Sequence, residues 1–289
     1  TAVNDAPTAA NNTVITNEDV TYTFSLADFN YSDIEADAFT QIEITSLETV
    51  GSLELSNVAV TLNQVITAAD ISAGNLKFVP IANQNGAGYD SFSFKVHDGS
   101  VYSAAAYTMT VDVTAVNDAP TATNSTVVTN EDVTYTYSLA DFNYSDIDLD
   151  AFTQIEVTSL ETVGALELSN VAVTLNQVIT AADISAGNLK FVPIANQNGA
   201  GYDSFSFKVH DGSVYSAAAY TMTVDVTAVN DAPTATNSTV VTNEDVTYTF
   251  SLADFNYSDI EADAFTQIEV TSLETVGALE LSNVAVTLN

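Results

Sequence analysis

The string Val-Asn-Asp-Ala-Pro-Thr begins at Val3, again at Val116 and again at Val229, 113 residues apart each time. A chain of 289 residues with that period is a tandem array and not one large domain. Residues 4–116 laid over residues 117–229 differ at eight positions, among them Ile15 against Val128, Phe24 against Tyr137 and Glu35 against Asp148. From Leu53 and Leu166 onward the two copies are identical. The expected domains are therefore 1–116, 117–229 and 230–289, the last being the first half of a third repeat, so the end of the chain reads as a fragment boundary. The period exceeds the roughly 20–50 residues of stacked solenoid units and suits a self-contained domain of about 100 residues. Copies this alike fit a role met by length or number, which a catalytic domain rarely has.

Within one repeat the dominant pattern has a period of two. Val20, Tyr22, Phe24 and Leu26 alternate with Thr21, Thr23 and Ser25, which puts the apolar set on one face of a strand. The alternation returns at Ile42 and Ile44, at Leu53 and Leu55, at Phe92, Phe94 and Val96, and at Tyr107, Met109, Val111 and Val113. Short strands near Thr13–Thr16 and Leu76–Val79 bring the total to about seven per repeat, the number in an immunoglobulin-like Greek-key β-sandwich. Asp98-Gly99 and the Asn85-Gly86-Ala87-Gly88 stretch mark turns, and Thr67 to Ala73, stopped by Gly74, predicts a single helical turn. The expected fold is all-β, an elongated end-to-end array of sandwiches.

Each full repeat carries 14 Asp and Glu against two Lys, and the formal net charge is −34. Such a surface excludes nucleic acid as a partner, and an anionic membrane face with it, because nothing here neutralises phosphate. A polar chain of this charge would be disordered, but 46% hydrophobic residues in alternating runs belong to a folded protein. The absence of cysteine removes disulfides, thiolate metal sites and a Cys nucleophile. No apolar run approaches the roughly 20 residues of a membrane span, and no signal peptide begins the chain, so any targeting signal or anchor is expected outside it.

The acids have a topological logic. In a Greek key the loop after the first strand lies at the end where the chain leaves the repeat, and the loop after the second lies where it enters. Asn17-Glu18-Asp19 is thus expected beside the linker Asn117-Asp118, and the alternating Asp146, Asp148 and Asp150 of the next repeat are expected at the same junction. Two like charges about 5 Å apart repel by roughly 3 kcal/mol at an effective dielectric of 20, so six converging carboxylates call for a hard cation. Calcium, which takes six to eight oxygens in flexible geometry, suits this set better than magnesium. The same pattern puts Glu131, Asp132, Asn230, Asp231, Asp259, Glu261 and Asp263 at the second junction, and Asn4, Asp5, Asp33, Glu35 and Asp37 at the entry of the first repeat.

The segments TAVNDAPT, TNED and YSDIEAD resemble the linker, first-loop and alternating-acid motifs of cadherin repeats. With GYDSFSFKVHDG they are more similar still to the cadherin-like tandem repeats of large bacterial surface adhesins of the RTX/VCBS type. The resemblance implies calcium at the junctions and a structural role at a bacterial cell surface. It implies Glu18, Asn117, Asp118, Asp146 and Asp148 as ligands at the first junction, and Glu131, Asn230, Asp231, Asp259 and Glu261 at the second. It also implies an extracellular protein exported by a Gram-negative cell, whose partners are neighbouring repeats and ligand-binding tip domains elsewhere in the adhesin. Ala115 and Ala228 replace the linker Asp that precedes the Asn-Asp pair in cadherins, and only Asp90 and Asp203 are available in the loop before the sixth strand. One or two ions per junction is the corresponding expectation.

Other polar residues read as structural. Asp98 and Asp211 precede glycines and suit turns; Glu43, Glu48, Glu54 and Asp112 alternate with apolar positions and suit the wet face of the sandwich. His97 and His210 have no spaced partner for zinc. Tyr31 and Tyr102 suit packing over the core edge. The alternating-acid loop is no EF-hand, since Ala38 and Ile44 stand where Gly and Glu are required. The expected function is a calcium-stiffened extender. The alternative is a carbohydrate- or partner-binding adhesion module acting through the sandwich loops. A glycosidase with paired carboxylates has no pocket-building residues to support it.

Overall fold

A computed structural model describes residues 3–288. Repeat 1 forms β1 (Asn12–Asn17), β2 (Tyr22–Thr23), β3 (Gln41–Ser46), β4 (Ser52–Leu55) and β5 (Val58–Ala59). Then follow β6 (Val65–Thr67), α1 (Ala68–Ser72), β7 (Leu76–Val79), β8 (Gly86–His97) and β9 (Tyr107–Thr114). One sheet has the order β1-β9-β8-β3-β6 and the other β2-β7-β4-β5. β5 and β6 are the strands that the alternation did not reveal; at two and three residues they are too short to display a period. β1 runs parallel to β9, with Asn12 opposite Met109 and Asn17 opposite Thr114. Because the two strands end together, the Glu18-Asp19 loop emerges beside the point where the chain leaves the repeat.

Between the sheets Phe24, Phe29, Ile42, Ile44, Leu53, Phe78, Phe92, Phe94, Met109 and Val111 are each no more than 1% exposed. Phe29 meets Phe94 edge to face at 4.9 Å, and Phe24 meets Phe92 likewise at 5.6 Å. These arrangements add to the burial energy of the rings. Gly51 is fixed by its surroundings: at φ +71° a Cβ there would lie 2.7 Å from Phe78 Cζ and 2.9 Å from the Val79 carbonyl oxygen.

Two expectations need correction. The Val20–Leu26 alternation is not a full strand. Val20 is 52% exposed, only Tyr22 and Thr23 pair, and the chain turns into a 3-10 helix at Leu26–Phe29. Asp28 causes the turn, its carboxylate accepting from Ser25 N at 2.7 Å and Ser25 Oγ at 3.0 Å, and the turn delivers Phe29 to the core. Glu48 is not on a wet strand face. It lies in the loop between β3 and β4, where Oε1 accepts from Leu53 N at 3.0 Å and Oε2 is buried.

The helical turn stands as its cap requires. Thr67 Oγ1 accepts from Asp70 N at 3.0 Å, and the turn is stopped before Gly74 at φ +74°. Thr67→Ala is expected to lower stability by about 1 kcal/mol in denaturant melts.

Repeat 2 has the same element order. Its strands are β10 (Ser125–Asn130), β11 (Tyr135–Thr136), β12 (Gln154–Ser159), β13 (Ala165–Leu168) and β14 (Val171–Ala172). They continue with β15 (Val178–Thr180), β16 (Leu189–Val192), β17 (Gly199–His210) and β18 (Tyr220–Thr227). Two buried positions of the core differ: Val157 replaces Ile44, and Tyr137 replaces Phe24. Tyr137 is 1% exposed and its hydroxyl has no hydrogen-bond partner. Burial, reinforced by the neighbouring Tyr135, Asp141, Asp203 and Glu161, drives its pKa well up. Tyr137→Phe removes a desolvated hydroxyl, so it is expected to stabilise repeat 2 by about 1–2 kcal/mol, seen as a raised midpoint of that repeat's transition.

Residues 230–288 correspond to residues 4–62, which hold neither β8 nor β9. Thr234–Ala235 pairs with Tyr257–Ser258, and Glu280–Leu281 with Val284–Ala285. Without the opposing strands Phe250 is 47% exposed and Ile268 52%, where Phe24 and Ile42 are buried.

The chain divides into two compact units, and the division does not follow the sequence period. One comprises Thr1–Ala122, Tyr144–Ile155 and Lys208–Ala219; the other comprises Thr123–Asn143, Glu156–Phe207 and Tyr220–Asn289. Among the described residues no helix is long and apolar enough to cross a membrane.

Candidate metal centre at the repeat linker

The first compact unit holds Glu18, Asp19, Asn117, Asp118, Asp146, Asp148, Asp150 and Asp211. Glu18 is 2% exposed. Its backbone N–H donates to the Thr114 carbonyl at 2.9 Å, so the loop leaving β1 is stitched to the end of β9. Its Oε1 accepts from Val116 N at 2.5 Å and its Oε2 from Asn85 Nδ2 at 3.1 Å. Each carboxylate oxygen retains a second lone pair. Asp19 adopts a left-handed conformation, φ 60°, and its Oδ1 accepts from Asn83 N at 3.0 Å.

The linker residue Asp118 donates its backbone N–H to Asp148 Oδ2 at 2.7 Å. Its own carboxyl is raised in pKa, first by burial and then by the carboxylates of Asp148, Asp19, Glu18 and Asp146. Four acids drawn from two sequence-distant loops therefore act on one linker side chain. Asn117 donates through Nδ2 to Asp211 Oδ2 at 3.0 Å and to the Asp118 carbonyl at 2.8 Å, which leaves its amide oxygen as an acceptor.

Asp146, Asp148 and Asp150 each offer a carboxylate oxygen within 4.8 Å of the others. Asp150 N donates to Asp146 Oδ1 at 3.1 Å, while Asp146 Oδ2 is buried with no donor. A buried carboxylate oxygen without a partner costs free energy unless a donor or cation meets it. The donor set is all hard oxygen, and it fits calcium.

The corresponding residues at the other positions repeat parts of this arrangement. In the second compact unit Glu131 accepts from Val229 N at 2.5 Å and Asn198 Nδ2 at 3.1 Å, and Asp132 from Asn196 N at 3.1 Å. Asp231 N donates to Glu261 Oε2 at 3.2 Å, Asp263 N to Asp259 Oδ1 at 2.9 Å, and Asn230 Nδ2 to the Asp231 carbonyl at 2.9 Å. In the first repeat Asp5 N donates to Glu35 Oε2 at 3.4 Å, and Asp33 Oδ1 accepts from Glu35 N and Asp37 N at 3.0 and 2.9 Å. Asp33 Oδ2, like Asp146 Oδ2, is buried without a partner.

Sequence reasoning missed two contributors. Asp98 and Asp211 do form turns, Asp211 Oδ1 accepting from Ser213 N at 2.6 Å and Val214 N at 2.7 Å, but their second oxygens also grip Asn4 and Asn117. Burial opposes ionisation of Asp98, yet the bonds from Asn4, Val101 and Ser100 outweigh it and bring its pKa down to about 2. The second contributor is Asn85, with Asn198, whose amide partners Glu18 from 67 residues away. The Asp-Gly and Asn-Gly pairs carry a local signal, and it signals only a turn. Asp90 and Asp203 are occupied elsewhere, each binding backbone N–H groups of the loop at Thr49-Val50 or Thr162-Val163. His97 Nδ1 accepts from Gly99 N at 2.8 Å and its ring meets Tyr102 edge on, while Tyr31 stacks on Phe39 at 4.9 Å.

Among solved structures the chain is similar to human protocadherin-24 EC1-2, at 14% identity over 78% of this chain and 100% of that one, TM-score 0.39. It is similar to Drosophila N-cadherin EC1-4 at 11% identity over 78% and 50%, TM-score 0.36. An endo-fucoidan hydrolase of glycoside hydrolase family 107 matches at 22% identity over 77% of this chain, TM-score 0.24, and the chain spans 29% of that enzyme's length. No curated protein matches. The family model described as bacterial Ig domain matches residues 4–114 and again 117–227. With two matches accounting for most of its length, the chain belongs to the bacterial Ig domain family.

Proposed function

We propose that this chain is a structural extender of a large bacterial cell-surface adhesin, its tandem Ig domains stiffened by calcium at the linkers. Glu18, Asp19, Asn117, Asp118, Asp146, Asp148 and Asp150 would hold the ion at the first linker. Glu131, Asp132, Asn230, Asp231, Asp259, Glu261 and Asp263 would do so at the second, and Asn4, Asp5, Asp33, Glu35 and Asp37 would contribute the entry half of a site on repeat 1. Bound calcium would supply the positive charge that a chain without arginine lacks, countering the mutual repulsion of the acids. The observation that carries the reading is the surroundings of Asp118, where carboxylates crowd one linker residue and Asp146 Oδ2 has no donor. The near-identity of the repeats supports the spacer role, and the adhesin's tip domains would do the ligand binding.

Calcium titration by calorimetry, run on the two-repeat segment 1–229 and on the single repeat 4–116, tests this. Sites with dissociation constants of about 10⁻⁴ to 10⁻³ M that occur only in the two-repeat segment are expected. Equal binding by the single repeat, or no heat from either, would overturn calcium at the linker.

A further inference from the structure

We infer that Asn85 and Asn198 are sites of spontaneous deamidation, and that the modification loosens the start of each linker through Glu18 and Glu131. They are the two asparagines in the chain that precede glycine, at Asn85-Gly86 and Asn198-Gly199. Both are exposed, in the loop that leads into β8 or β17. A Cβ on Gly86 or Gly199 would meet nothing within 4 Å, so no neighbouring group crowds the α-carbon beside the attacking nitrogen, and glycine brings no side chain of its own to hinder the approach.

The chemistry needs only water. The Gly86 backbone nitrogen gives up its proton and attacks Asn85 Cγ, the Cγ–Nδ2 bond breaks, and ammonia leaves with a proton. Water then opens the five-membered imide at either carbonyl, leaving aspartate or isoaspartate. No electrons are transferred.

What gives the change a consequence is the partner of the lost amide. Asn85 Nδ2 donates to Glu18 Oε2 at 3.1 Å, while Glu18 Oε1 holds Val116 N at 2.5 Å; Asn198, Glu131 and Val229 repeat the arrangement at 3.1 and 2.5 Å. Deamidation replaces a donor by a second carboxylate facing a buried one. Like charges at such a distance repel; whether the new carboxylate swings out to solvent or Glu18 shifts, Glu18 loses the donor that fixes its carboxylate on the Val116 amide. Isoaspartate would in addition insert a methylene into the backbone at the start of β8.

The test is to age the full chain at mildly alkaline pH and map its peptides by mass. Replacement of NH2 by OH is expected at Asn85 and Asn198 an order of magnitude faster than at their neighbours Asn83 and Asn196. Asn85→Asp combined with Asn198→Asp, compared by hydrogen exchange with the parent and with Asn85→Gln, Asn198→Gln, is expected to lose protection at Val116 and Val229. The Gln pair keeps an amide donor and is expected to keep more of it. Equal deamidation at Asn83, or protection unchanged in the Asp pair, overturns the inference. Neither measurement involves calcium, so the result stands apart from the fate of the proposed metal sites.

Discussion

Asp90→Ala is expected to lower the stability of the first repeat by about 3 kcal/mol, a fall of roughly 12–24 °C in the midpoint of its transition. Asp90 is 6% exposed, and its oxygens accept from Thr49 N at 3.0 Å, Val50 N at 2.6 Å, Ser91 N at 2.8 Å and Thr49 Oγ1 at 3.3 Å. Truncation strands several buried donors at once, and donors left without acceptors cost more than the net worth of the bonds they made. Asp90→Asn is expected to be nearly as harmful, because every partner is a donor and the new NH2 group would face donors. Repeat 2 keeps Asp203 in the same role and serves as the internal reference. Calorimetric melting separates the two repeats. A change in the first transition no larger than the roughly 0.5 kcal/mol of an ordinary surface substitution would show that the loop does not depend on this carboxylate.

Calcium at ten to a hundred times its dissociation constant should stabilise the full chain by about 1.4–2.7 kcal/mol, and Asp146→Asn with Asp148→Asn should abolish that gain. In the absence of a cation the same double substitution is expected to leave stability unchanged or to raise it, because it removes two of the carboxylates that press on Asp118. This opposite sign separates a cation site from a merely structural role for the two aspartates, since loss of a structural hydrogen bond lowers stability with or without calcium. Melting curves in chelator and in millimolar calcium, for parent and variant, read both effects. A parent whose midpoint is the same in the two buffers would end the calcium reading.

Much of the core was legible because alternation is a local property. Ile42, Ile44, Phe92, Phe94, Met109 and Val111 are buried where the period of two put them. The pattern failed at Leu26, where Asp28 bends the chain into a helical turn, and it could not display strands as short as Val58–Ala59. Among the acids, the alternation of Asp146, Asp148 and Asp150 announced a cluster, and their oxygens do lie close together. The role of Glu48 was misread because it shares the parity of outward-facing Glu54 on the strand after it, although it lies in the loop before that strand.

The sequence by itself determined the period, which the repeated string displays directly, and the all-β character, the inward faces and the acids available to a cation, since each of these depends on neighbours a few residues apart. Tertiary structure alone decided which acids meet. The parallel pairing of β1 with β9 carries Glu18 to Val116, and the chain's return brings Asn85 to Glu18 and Asp211 to Asn117 across 67 and 94 residues. These encounters follow from strand register and loop closure, which leave no periodic trace in the residues that take part.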